Sequence, residues 1–183
     1  MINYLIQLDQ QIFLFVNRLQ NPILDFLSLF ISQITEGGLI WLIICLLIFI
    51  FDRKEKKRKV LLLLLGLLLN SWLVNVPIKT LLFCRERPFK VMENVRVIGK
   101  VWENCSFPSG HVSATVTALI LLFYLYKIRQ RWLIFSSFCF LLVLGSARIY
   151  VGMHYFTDIL AGIIIGLFSV FLTIFLDKQI KFY

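Results

Sequence analysis

Apolar stretches interrupted by short charged ones run the length of the chain. Uncharged segments occupy residues 37–51, 60–78, 112–126, 132–147 and 159–176; within 60–78 only Asn70, Ser71 and Asn75 are polar. Each is at or slightly below the ~20 residues that cross a bilayer, and flanking residues can extend them. Backbone in lipid must satisfy its own hydrogen bonds, so helices are expected. Residues 4–15 read as an amphipathic helix lying in the interface. Asn21-Pro22 reads as a break followed by a helix start, since Pro suits the first turn. Residues 22–35 are short but apolar apart from Asp25, Ser28, Ser32 and Gln33, and read as a first crossing, with Glu36-Gly37-Gly38 turning into the second. The expected fold is all-α: a polytopic membrane bundle of six transmembrane helices with an N-terminal amphipathic segment, forming one domain over 1–183.

Composition agrees. Of 183 residues, 60% are hydrophobic and 16% charged, with mean hydropathy +0.86; soluble domains carry about 25% charged residues. The start, MINYLIQLDQ, has no basic n-region and carries Asp9 early, so no cleaved leader is expected. The net charge of +9 is clustered. Residues 52–59 (DRKEKKRK) hold six positive and two negative charges, the 127–131 loop (KIRQR) three positives, and the tail Lys178 and Lys181. Alternating crossings put all three on one side, which the positive-inside rule makes cytoplasmic. Such runs read as topology signals beside anionic headgroups rather than as nucleic-acid contacts. The expectation is a bacterial inner membrane protein with both termini cytoplasmic.

The opposite, periplasmic side receives residues 84–108 and a short connection near 150–157. These hold Arg85, Arg87, His111, Arg148, His154 and Asp158, with Lys79 just inside, and both histidines of the chain. Ionisable groups at membrane depth are costly and usually functional. Pro108-Ser109-Gly110-His111 immediately precedes an apolar helix. A helix N-terminus presents free N–H groups that suit phosphate, Gly110 permits close approach, and Ser109 adds a hydroxyl. A simple N-cap would explain Ser109 but not His111. His154 and Asp158, four apart, share a helical face. The carboxylate can hold the imidazole so that its other nitrogen is free to attack. Arg148, Arg87 and Lys79 add cations suited to a multiply charged anion.

The pattern Lys79…Arg87-Pro88, then Pro108-Ser109-Gly110-His111, then Arg148-x5-His154-x3-Asp158 resembles the type 2 phosphatidic acid phosphatase superfamily. The resemblance spans 79–158 in motif and nearly the whole chain in apolar pattern. It implies that His154 attacks phosphorus to form a phosphohistidine and that Asp158 orients it. His111 then protonates the leaving oxygen, and Lys79, Arg87, Arg148, Ser109 and Gly110 hold the phosphoryl oxygens. It implies no cofactor and no metal, and the pocket residues offer no carboxylate cluster for Mg²⁺. Seven residues separate Lys79 from Arg87 where the family has six, which rotates Lys79 and makes Arg85 a second candidate. Ala147 precedes Arg148 where Ser is usual, and Phe156 stands where Pro is common.

The 89–107 segment mixes apolar residues with Lys90, Arg96 and Lys100 and reads as an interfacial element or an ordinary amphipathic connector. Cys84 and Cys105 flank it on the oxidising side and are a candidate disulfide; Cys45 and Cys139 lie in apolar segments and read as packing residues. The resemblance implies a membrane lipid phosphate as substrate: undecaprenyl pyrophosphate, phosphatidylglycerol phosphate, phosphatidic acid or lipid A 1-phosphate. Transfer of phosphate to a second lipid is the alternative. A transporter would place its charges at span centres and carry an internal repeat, and a non-catalytic binder would not retain both histidines.

Overall fold

The helices are built around an inner polar seam rather than a purely apolar core, as expected of a bundle whose outside meets lipid. The structure, a computed structural model, describes residues 2–82 and 84–180; Lys181, counted above among the basic tail residues, lies outside them. In chain order come α1 (Ile2–Asn17), α2 (Pro22–Ile34), a 3₁₀ turn (Glu36–Gly38), α3 (Leu39–Phe51) and α4 (Lys56–Leu73). A π-helical continuation (Val74–Leu82), α5 (Pro88–Val91), α6 (Gly110–Tyr126), α7 (Arg131–Tyr150) and α8 (Phe156–Ile180) follow. Leu, Phe and Ile on the outer faces of α3, α7 and α8 are exposed, among them Phe135, Ile164 and Phe171. Ser113, Thr117, Asn70, Ser169 and Thr173 are buried between α4, α6 and α8. Their hydroxyls bond mostly to carbonyls one turn back, as Thr117 Oγ1 does to Ser113 O at 2.8 Å and Thr173 Oγ1 to Ser169 O at 2.7 Å. Small and hydroxylated residues let membrane helices approach closely. A Cβ on Gly166 would stand 2.7 Å from the Ser113 carbonyl oxygen, and one on Gly162 2.8 Å from that of Ser109.

Among the described residues, three helices are long and apolar enough to cross a bilayer: Lys56–Lys79, Arg131–Tyr150 and Phe156–Ile180. Gly110–Tyr126 is apolar but shorter. Pro22–Ile34 and Glu36–Phe51 pass the same test together, as a pair bent by 42°. The separate crossing expected at 22–35 is therefore not confirmed. Asp25 in the first turn of α2 pairs with Arg96, and Glu36 just past its end pairs with Lys100 at 2.8 Å. Both partners lie in the connector between α5 and α6, so α2 stays at that end of the bundle. Thirteen residues rise only about 20 Å, short of the ~30 Å hydrocarbon core. Gly37 and Gly38, at φ 59° and 75°, make a bend rather than a reversal.

Helix α1 lies at the same end. Asp9, Phe13 and Asn17, spaced by four, face inward and are buried, while Tyr4, Leu5 and Phe15 face out. The Asn17 amide nitrogen donates to the carbonyls of Arg96 (2.7 Å) and Tyr150 (2.9 Å). The opposite end is clasped by Arg58 on Asp177 (2.7 Å), Lys59 on Asp52 (2.6 Å), and the Tyr124 and Tyr126 hydroxyls on the same two carboxylates. Thus α1 and the end of α8 sit at opposite ends of the bundle, an arrangement that does not support the placement of both termini on one side. Helices α2 and α3 pass the test for a crossing only as one bent pair. The basic segments 52–59 and 127–131 do share an end, as the charge pattern requires.

Candidate active site

Three backbone devices bring the motifs together. The first is a clasp on the loop between α7 and α8. The Ile98 N–H donates to the Val151 carbonyl at 3.2 Å, and Gly152, at φ 84°, runs against the Arg96 carbonyl, which a Cβ would meet at 2.6 Å. Only glycine tolerates both the left-handed backbone and that approach. The second is the start of α6, where the Ser109 N–H donates to the Asp158 carbonyl at 3.0 Å, seating the Pro108–His111 segment on the first turn of α8. The third is the π-helical stretch carrying Lys79. A π turn accommodates an extra residue within a helix, and this stretch ends at Leu82, within the seven residues that separate Lys79 from Arg87. Lys79 still reaches the pocket.

That pocket has a volume of about 440 Å³. Its polar end gathers Lys79, Arg87, Gly110, His111, Arg148 and His154. Glu36, Trp102 and Asn104 stand at its mouth, and Leu42, Leu64, Leu67 and Leu68 line the wall between α3 and α4. Asp158 and Ser109, also expected at the site, lie behind this surface. Asp158 is fully buried, with Oδ2 accepting the Tyr155 N–H at 2.9 Å and standing 3.4 Å from His154 Nδ1. The contact is misaligned for a hydrogen bond, and His154 Nδ1 has no acceptor among the described residues. Such contacts tighten when substrate binds. Ser109 differs from expectation: its amide is spent on Asp158, its hydroxyl is buried without a partner among the described residues, and it does not line the pocket.

The cations divide by their bonding. Arg87 is anchored: Nε donates to Asn104 O (2.8 Å), Nη2 to Asn104 Oδ1 (2.6 Å) and Nη1 to Met153 O (2.8 Å), directly beside His154. Burial pulls its guanidinium down to about 10, still charged at neutral pH. Arg148 is only 4% exposed, yet its Nε and Nη2 have no acceptor among the described residues. Those two nitrogens form one edge of the guanidinium, the fork that matches two phosphate oxygens. A buried, unpaired donor edge is costly to keep, so its ligand is to be sought outside the protein. Burial first, then the positive potential of Arg148, Arg87 and Lys79, holds His154 well below the ordinary 6.5. The imidazole is therefore uncharged at neutral pH, as a nucleophile must be.

Arg85, the second candidate for the Lys79 position, points away from the pocket. It stacks on Tyr155 (3.6 Å to the ring centroid) and donates to Asp158 Oδ1 (3.2 Å), Thr157 Oγ1 (2.7 Å) and Asp9 Oδ2 (2.8 Å). Cys84 and Cys105 form a disulfide that closes the 84–105 segment. Sequence reading missed Asp9, Glu36 and Asn104. Only Asp9 carried a signal, as an acid on an otherwise apolar helix face.

A cleft of cationic forks around an uncharged histidine, set at one end of an apolar helix bundle, defines a membrane-embedded enzyme of phosphoryl chemistry. The family comparison agrees: residues 59–180 match the PAP2 superfamily, and the chain belongs to it. It is a membrane phosphatase of that superfamily. The chain is 29% identical over 178 residues to a lipid A 4'-phosphatase of Porphyromonas gingivalis, covering 91% of this chain and 71% of that one. It is 27% identical to the undecaprenyl-diphosphatase BcrC of Bacillus subtilis, covering 89% and 84%. The crystal structure of Aquifex aeolicus LpxE superposes with a TM-score of 0.76 at 26% identity, covering 90% of this chain and 93% of that one. A phosphatidylglycerolphosphate phosphatase of Bacillus subtilis shares the fold, with a TM-score of 0.71 at 21% identity.

Proposed function

We propose that this protein is a metal-independent lipid phosphatase acting at the outer face of a bacterial inner membrane through a phosphohistidine on His154. The observation that carries the reading is the continuity of one pocket, from the unpaired Arg148 fork at its polar end to the leucine wall between α3 and α4. A phosphate attached to a long apolar chain fits both ends.

In the first step the free nitrogen of His154 attacks phosphorus and the bond from phosphorus to the lipid oxygen breaks. The Arg148 fork, Arg87 and Lys79 hold the non-bridging oxygens as charge moves toward the leaving group. His111 gives its proton to that oxygen. The dianionic phosphate supplies the countercharge that lets an imidazole among three cations carry this proton. Asp158 steadies the imidazolium that forms on His154. In the second step His111 takes a proton from water, the water oxygen attacks phosphorus, and the nitrogen–phosphorus bond breaks. Gly110 admits the phosphate to the start of α6, and Ser109 serves by seating α6 on Asp158.

Five crossings fit the helices: the bent α2–α3 element, α4 with its π continuation, α6, α7 and α8. The basic segments 52–59 and 127–131 are then cytoplasmic, and α1 lies against the outer interface on the site side. The substrates named for the relatives are lipid A and undecaprenyl diphosphate, and those are the first lipids to test. The assay is phosphate release by purified protein in detergent with EDTA, on undecaprenyl diphosphate, bis-phosphorylated lipid A, phosphatidylglycerol phosphate and phosphatidic acid. Release that persists in EDTA and is lost in His154→Ala supports the reading, and the ranking names the substrate. Phosphate appearing on a second lipid instead of in water supports phosphotransfer.

A further inference from the structure

Behind the dyad, on the side away from the pocket, lies a charged network that the phosphate-binding residues do not use. Arg85 spans two buried carboxylates: Nη1 donates to Asp158 Oδ1 at 3.2 Å, and Nη2 to Asp9 Oδ2 at 2.8 Å. Asp9, 4% exposed, also accepts the Thr157 N–H at 3.0 Å and the Thr157 hydroxyl. Thr157 is the residue next to Asp158, and its hydroxyl also accepts from Arg85 at 2.7 Å. The Arg85 guanidinium is clamped flat on Tyr155, which neighbours His154. Phe13 of α1 packs on the other side of that ring system, 5.6 Å between centroids. A buried carboxylate on a membrane-associated helix is expensive unless paired. Here the pairing leads straight to the carboxylate that faces the nucleophile.

We propose that Asp9 and Arg85 are positioning residues for the reaction. Helix α1 supplies Asp9 to hold Arg85, and Arg85 fixes the rotamer of Asp158 so that Oδ2 faces His154. The proposal rests on the reading of His154 and Asp158 as the catalytic pair. Neither Asp9 nor Arg85 lines the phosphate pocket, so their loss should slow the chemical step without weakening phosphate binding. Displacement of a catalytic group by about 1 Å costs on the order of 100-fold.

The test uses full-length protein in detergent and whichever of undecaprenyl diphosphate, bis-phosphorylated lipid A, phosphatidylglycerol phosphate or phosphatidic acid the wild type hydrolyses fastest. Arg85→Ala is expected to lower kcat by about 30- to 100-fold with KM changed less than about threefold. Asp9→Asn is expected to lower kcat about tenfold alone but less than about twofold in the Arg85→Ala background, because it acts through Arg85. Affinity for inorganic phosphate, read by calorimetry, should stay within about twofold in both variants. Three results overturn the proposal: kcat retained in both variants, fully multiplicative effects in the double variant, or kcat, phosphate affinity and thermal midpoint falling together as in general unfolding. A wild type that releases no phosphate from any of the four lipids overturns the lipid-phosphatase reading itself, which separates the two failures.

Discussion

Arg148 makes a two-signed prediction. Its Nε and Nη2 are buried with no partner among the described residues, and a donor left without any partner costs about 1–3 kcal/mol. With neither donor reached by water, the empty site would carry about 2–6 kcal/mol of penalty at one side chain. Arg148→Met removes the charge and the donors at similar length. It should stabilise the empty protein by about 2 kcal/mol or more, raising its melting temperature by several degrees. It should also delete two charge-assisted hydrogen bonds to phosphate, at about 1.5–3 kcal/mol each, so kcat/KM falls by about 10² to 10⁴. Thermal melts with and without inorganic phosphate or vanadate, alongside phosphate release, read both signs. The wild type should gain stability from the anion and the variant should not. A variant that melts lower than wild type and keeps its activity would refute the assignment of this edge to substrate.

Other expectations follow from single contacts. With His154 held well below 6.5 by burial, the acid limb of kcat/KM should lie below that value; a limb centred above 6.5 would contradict an uncharged resting nucleophile. The same shift has a sign for folding. The unfolded chain binds the proton first as pH drops, so stability is full above about 6.5 and declines below it, which melts at pH 7.5 and 5.5 would show. The Cys84–Cys105 bridge closes a loop with sequence separation 21, worth about 3 kcal/mol in chain entropy. Cys84→Ser with Cys105→Ser should lower the melting temperature, and an unchanged midpoint would show that the loop is held without it. Gly162→Ala pushes a methyl to 2.8 Å from the Ser109 carbonyl oxygen. Overpacking there should cost about 1–3 kcal/mol and slow turnover by separating α6 from α8; wild-type melting and rate would sink that account.

The site was legible where its chemistry is local. His154 and Asp158 are one helical turn apart, and Gly110-His111 opens a helix, so spacing alone put each on a usable face. Arg148 stood out because a cation closing a long apolar run has few other uses. What could not be read were pairings made only by the tertiary fold. Asp9 meets Arg85 across 76 positions, and Asn104 meets Arg87 across a disulfide-closed segment. Ser109 looked like a phosphate donor because helix starts have free amides, yet its own amide is taken by Asp158 from α8. The apolar pattern predicted the long helices well; the six crossings it suggested are not confirmed. A 13-residue apolar run with an acid in its first turn reads alike whether it spans or bends, and the Asp25–Arg96 and Glu36–Lys100 pairs that bear on it are made only by the tertiary fold.

The central claim is a covalent phosphate on His154. Rapid acid-free quenching of enzyme mixed with ³²P-labelled undecaprenyl diphosphate or phosphatidic acid, followed by denaturing gels, tests it directly. The account predicts label on the chain that survives alkali, is lost in acid, and is absent in His154→Ala. Full turnover with no trapped label in the wild type, or label retained in His154→Ala, would contradict it.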